Sequence, residues 1–124
     1  GESIEDMHDT AVTLAALPLW GIKFHVLHVV CDTALASMYA AGQIRLMTAD
    51  EYVDVLIDCL ERTPVDRVIL RLVSDADRDI LIVPEWICAK SMAIGRIERR
   101  MRERATCQGK LAPARRSLAD GGSI

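Results

Sequence analysis

The sequence is short of aromatic residues, with one Phe, two Tyr and two Trp among 124 positions. Because 51% of the residues are nevertheless hydrophobic, the core has to be built from Val, Ile, Leu, Ala and Met. That palette suits helices packed on a parallel sheet. The four cysteines, Cys31, Cys59, Cys88 and Cys107, are widely spaced. No zinc or iron–sulfur ligand motif can be read from them, and no metal site is expected. Free thiols in a reducing, cytoplasmic compartment are the expectation. No apolar run approaches the ~20 residues that a membrane helix needs, so no membrane partner is expected. The N-terminus is acidic, unlike the basic start of a signal peptide.

The length suffices for one domain with a real core and is too short for two. The formal net charge of −3 is unevenly spread: residues 1–90 carry seven Lys/Arg against fifteen Asp/Glu, and residues 91–124 carry eight against three. A basic C-terminal segment can meet phosphate or nucleic acid. Arg96, Arg99, Arg100, Arg102 and Arg104 have no aromatic residue among them, and Glu98 and Glu103 interrupt them. That pattern favours a solvated helix end over a stacking nucleic-acid platform.

Read for period and punctuation, the chain alternates helix and strand. Ser3 is an expected N-cap, with Glu5 and Asp6 in the first turn and a stop at Pro18 to Gly21. Residues 22–30 are rich in β-branched side chains and read as one buried strand. Ile22, Phe24, Val26, His28 and Val30 would share one face, and Lys23, His25, Leu27 and Val29 the other. A short helix follows from Thr33 to Tyr39, stopped by Gly42. Thr48 and Glu51 form a capping box for a stronger helix. Its expected apolar face is Tyr52, Val55, Leu56, Cys59 and Leu60, with Asp50, Asp54, Asp58 and Glu61 towards water. A second buried strand runs from Val68 to Val73, and a short extended piece from Ile80 to Val83. The last helix is predicted from Trp86 to Arg104, with Met92, Ile94, Ile97 and Met101 in the core. Residues 1–109 form the expected folded part and 110–124 a disordered tail. This order implies parallel strands joined by right-handed crossovers. Two strong strands make a poor sheet, and Gly1-Glu2 begins abruptly at a helix entrance; both features suit a piece of a larger fold.

Few residues look chemically equipped. His25 and His28 lie three apart, so on a strand they face opposite sides and cannot share a metal. Cys31 lies near His28 without any sign of activation, and a buried thiol is the commoner outcome. Asp75, Asp77 and Asp79 alternate as in a calcium loop, but the glycine and the terminal glutamate of such a loop are missing. Lys23 and His25 on an otherwise apolar strand need a polar neighbourhood, which a barrel lumen would supply. Arg71 on a buried strand needs a partner. It is either a site residue at the C-terminal end of a barrel strand or one half of an ion pair with Asp75 or Glu61. Lys90, one turn into the last helix, is most simply a surface residue.

From Gly21 to Val30 the chain resembles the GIK-hydrophobic-H-x-LH segment of bacterial radical S-adenosylmethionine (SAM) proteins of the YhcC/YtqA type, which are similar to the catalytic subunit of elongator. The resemblance continues through Thr33-Ala34-Leu35-Ala36, Tyr39, Gly42, Glu51-Tyr52, Leu60-Glu61, Val68-Ile69, Arg71-Leu72, Asp75, Pro84-x-Trp86, Lys90 and Gln108-Gly109. Gly1-Glu2 and Thr10-Ala11 fit the family's L-P-G-E-T turn and the helix after it. The fold it implies is α/β: C-terminal (β/α) units of a partial TIM-type barrel, incomplete as given. The family's barrel carries a [4Fe-4S] cluster on three cysteines near its N-terminus. SAM at the fourth iron is cleaved reductively to a 5′-deoxyadenosyl radical, which abstracts hydrogen from substrate. Wobble-uridine modification of tRNA is the activity class implied. Lys23, His25, His28, Arg71, Asp75, Trp86 and Lys90 are then the candidates for contacting SAM or substrate. The cluster motif is absent from this chain, so no cofactor is expected on it alone and it is not expected to be catalytic by itself. Cys31-Asp32 replaces the family's Lys-Gly, and Val73-Ser74 its Thr-Gly, so the chain departs from the family's pattern in these two loops. The expected partner is the missing N-terminal barrel half, or a second copy through exposed sheet edges. The alternative is a small self-associating α/β binding module.

Overall fold

The computed structural model describes residues 2–112. The elements, in order, are α1 (Ile4–Ala15), β1 (Gly21–Lys23), β2 (Val29–Val30), α2 (Ala34–Ala40), α3 (Ala49–Glu61), β3 (Val68–Arg71), β4 (Leu81–Val83), a 3-10 helix (Glu85–Cys88) and α4 (Lys90–Glu103). The expected tail beyond 112 lies outside the described residues. Within them the chain does not come loose at 109, because the Leu111 N–H donates to the Glu61 carbonyl at 2.8 Å.

The helix starts follow the sequence closely. Ser3 and Asp6 form a reciprocal capping box on α1, and Thr48 and Glu51 another on α3. Each satisfies two N–H groups that the first turn leaves without an intrahelical acceptor. Gly42, at φ +72°, ends α2. It lets the Gln43 N–H reach back to the Met38 carbonyl, the αL stop for which glycine is suited. At the end of α4 the same turn is made by Ala105, at φ +47°.

The strands depart from the sequence reading. The single strand expected over 22–30 is two. β1 pairs in parallel with β3, Gly21 opposite Val68 and Lys23 opposite Arg71, with a register shift between Ile22 and Lys23. The chain then changes partner, and β2 pairs antiparallel with β4. An all-parallel arrangement is therefore corrected: the described residues form two separate two-stranded sheets, one of each kind. β3 ends at Arg71, two residues before the predicted end, where the chain turns into the 72–80 loop.

Helices cover one face of the β1–β3 pair. Phe24, Val26, Ile69, Leu72 and Val73 pack with Tyr52, Val53, Leu56, Ile57 and Leu60 of α3 and with Ala93 and Ile97 of α4. α1 closes on the other side of α3, through Ala11 against Val55 and Cys59. On the opposite face of β3, Val68 and Leu70 are exposed, as are Lys23, His25 and Leu27 in the chain beside it. These strands are half-buried rather than buried, because helices pack on one side only. Met92, expected in the core, is 67% exposed, since α4 turns Ala93 and Ile97 inwards instead.

Candidate functional site

Parallel strands point their C-terminal ends the same way, and here those ends carry charge. Lys23 and Arg71 close the two strands as direct neighbours in the ladder. The register shift next to them interrupts pairing, as bulges commonly do beside functional sites. Four residues after the end of β3 the loop presents Asp75, and α4 opens with Lys90. The Lys90 Nζ donates to Asp75 Oδ1 at 2.8 Å, and Arg71 Nη2 lies 3.4 Å from Asp75 Oδ2. One carboxylate thus holds two cations, one on each oxygen. The hydrogen bond from Lys90, then its charge, then the charge of Arg71 lower the Asp75 pKa from its ordinary value. The carboxylate is therefore ionised in neutral solution.

Arg71 takes Asp75, not Glu61, as its ion-pair partner. Lys90 belongs to this cluster and is not an isolated surface residue. The Lys23 and His25 side chains are exposed and make no hydrogen bond or ion pair with the described residues. His28 is partly buried, with Nδ1 3.1 Å from the Val26 carbonyl oxygen. Trp86 lies apart from the cluster: its Nε1 donates to the Met47 carbonyl at 3.3 Å, and its ring meets that of Tyr52 at 5.4 Å between centroids. Tyr52 in turn donates from its hydroxyl to the Leu72 carbonyl at 2.6 Å. Burial raises the Tyr52 pKa, so this donor keeps its proton and braces the chain immediately after Arg71.

Ser74 was expected to begin a polar loop at a position where the family has glycine, and its structural role was not foreseen. It is 1% exposed. Its hydroxyl accepts from the Val26 N–H and lies 3.3 Å from the Val26 carbonyl, to which it donates. The hydroxyl thus replaces ladder pairing where the two strands part, and it fixes the loop that carries Asp75. A polar residue directly after a buried Val73 was the available signal. Ser74→Ala leaves a buried N–H without its acceptor and is expected to cost about 1–2 kcal/mol. Urea unfolding monitored by circular dichroism measures it; an unchanged midpoint would show that the clamp contributes nothing.

The basic residues of α4 are not a free surface. Arg96 pairs with Asp50 at 3.4 Å, Arg100 with Asp54 at 2.9 Å, and Arg104 with Asp58 at 2.7 Å and Glu61 at 2.9 Å. Acids and arginines at i, i+4 and i+8 run in step along two neighbouring helices. Three of the five arginines considered for nucleic acid are thereby engaged, and Arg99 and Arg102 remain on the exposed side.

No three His, Cys, Asp or Glu side chains gather into a metal site among the described residues. Cys59 is buried under α1 with its thiol pKa raised by burial, whereas Cys31 and Cys107 are exposed on other parts of the chain. These positions do not fit an iron–sulfur cluster. No helix among the described residues is long and apolar enough to cross a membrane.

The Uncharacterized protein YtqA of Bacillus subtilis (strain 168) is 32% identical over 113 residues, covering 89% of this chain and 35% of its own length. The Uncharacterized protein MJ0486 of Methanocaldococcus jannaschii is 31% identical over 110 residues, covering 88% of this chain and 34% of its own length. The chain thus spans about a third of the length of these curated relatives. A model of the Radical_SAM C-terminal domain matches residues 19–103, a span holding all seven candidate site residues. The chain belongs to the Radical_SAM C-terminal domain family.

Proposed function

We propose that this chain supplies the C-terminal (β/α) units of a radical SAM barrel and lines the substrate side of its lumen. The observation that carries the reading is the one-sided cover of the β1–β3 pair. Helices pack on one face, while the other leaves Val68, Leu70, Lys23 and His25 exposed, and the C-terminal ends hold Arg71, Asp75 and Lys90. In a barrel the uncovered face turns inwards and the chemistry sits at the C-terminal ends. Lys23, His25 and Arg71 would position SAM or substrate by charge. The cluster, and the radical chemistry it supplies, would belong to a portion corresponding to the two-thirds of the curated relatives that this chain does not span. Trp86 and His28 would support the wall without touching ligand. A cytoplasmic enzyme modifying tRNA is the functional class that follows from the resemblance to elongator-like proteins. Taken alone, the chain would associate with a second copy through the uncovered face.

Co-expression with the portion of YtqA that lies outside the match tests this reading. The two pieces are expected to co-purify and, after anaerobic cluster reconstitution, to cleave SAM to 5′-deoxyadenosine. A chain that stays monomeric and does not associate would overturn the barrel reading and favour an independent binding module.

A further inference from the structure

We infer that Arg71 and Lys90 form a seat for a phosphate group of the substrate, and that Asp75 holds the place which this phosphate takes over by displacement. The inference rests on the lumen reading above and specifies the ligand chemistry of that site.

The geometry supports it in two ways. First, two cations from different elements converge on one small anion: Arg71 ends β3, Lys90 begins α4, and each meets a separate oxygen of the Asp75 carboxylate. A second oxyanion of similar size fits the same pair of donors. Arg and Lys are the side chains commonly used for phosphate, the guanidinium as a fork and the ammonium as a point charge. Second, Asp75 is loosely held. Its side chain is 65% exposed, and no other described side chain donates to it. A surface pair of this kind contributes little stability, so its exchange for a better anion costs little.

The firm support around the seat fits such a task. The Ser74 hydroxyl and the Tyr52 hydroxyl hold the chain on either side of Val73, so the loop carrying Asp75 leaves from a fixed root. Displacement requires only that the Asp75 side chain rotate towards water.

The test titrates the 124-residue chain with inorganic phosphate and, separately, with acetate, at low ionic strength by calorimetry. Asp75→Asn removes the internal competitor and keeps its shape, and is expected to bind phosphate about tenfold more tightly than the parent chain. In the Asp75→Asn background, Arg71→Gln and Lys90→Gln are each expected to weaken binding about tenfold. Circular dichroism establishes that each variant is folded. Phosphate affinity in Asp75→Asn equal to or below that of the parent would overturn the displacement. Binding unaffected by Arg71→Gln would overturn the seat, and acetate binding as tightly as phosphate would overturn the assignment to a phosphate-bearing ligand. Any of these results leaves the barrel reading standing, because association with the rest of the barrel is measured without phosphate; loss of that association leaves the phosphate titration interpretable.

Discussion

Ile57→Ala is expected to destabilise the chain by about 3–4 kcal/mol, because it removes three carbons from a closed core and leaves a cavity that its neighbours can only partly fill. Ile57 is 0% exposed and lies in the main cluster with Val26, Val73 and Ile97. Ile57→Val should cost about 1 kcal/mol. Met92→Ala, on the exposed side of α4, should stay within about 0.5 kcal/mol of the parent. Urea unfolding of the three variants under one condition makes the comparison. A shift for Ile57→Ala no larger than that for Met92→Ala would mean that α3 does not pack as described.

The second large effect is expected at Arg104, where Arg104→Met should cost about 2–3 kcal/mol. Glu61 is a buried carboxylate, 7% exposed. Its charge is met by Arg104 Nη2 at 2.9 Å and by the Thr106 hydroxyl. Removing the guanidinium strands that charge away from water. It also takes a 2.7 Å partner from Asp58, which His8 Nε2 approaches at 3.3 Å without hydrogen-bond alignment. The remaining pairs on the ladder are worth far less, since Asp50 and Arg100 reach water and salt screens them. Neutralising both partners, Arg104→Met with Glu61→Gln, should recover more than half of the loss, because no buried charge is then left unpaired. A double variant as unstable as the single one would place the effect in packing of the arginine stem.

Both predictions concern α3, and α3 shows where sequence reading stops. Its start and capping box were legible from Thr48 and Glu51, and its apolar residues from the spacing of Tyr52, Leu56 and Leu60. A single apolar face was the natural inference from a pattern in which Asp50, Asp54 and Asp58 recur every four residues. The helix is in fact central. The sheet and α4 take Val53, Leu56 and Ile57, α1 takes Val55 and Cys59, and the acidic stripe faces the arginines of α4. A row of carboxylates at helical spacing looks the same whether water or a partner helix neutralises it. Only the relative placement of α3 and α4 distinguishes the two, and that placement arises from contacts 46 residues apart.

The candidate site divides in the same way. Arg71, Asp75 and Lys90 were each singled out from the sequence, and the structure brings these three together. Trp86 was singled out with them and proved to be a brace against Tyr52 and Met47. An aromatic residue two positions after a proline carries no mark of whether its ring faces a ligand or a neighbouring helix. Ser74, a residue of no special type, was overlooked although it joins the two strands where they separate.

The sequence by itself determined the helix starts at Ser3, Thr33 and Thr48, the glycine stop at Gly42, the aliphatic character of the core and the identity of the family. All of these are written in local chemistry: cap hydroxyls, a residue free to adopt positive φ, and the order of matched positions. Only the tertiary structure decided that 22–30 divides between two partners, that helices cover one face of the strands and not the other, and that the acidic stripe of α3 meets the basic stripe of α4. Those outcomes depend on which surface each element finds, and the free energy of burying a face or neutralising a charge belongs to the pair in contact rather than to either segment alone.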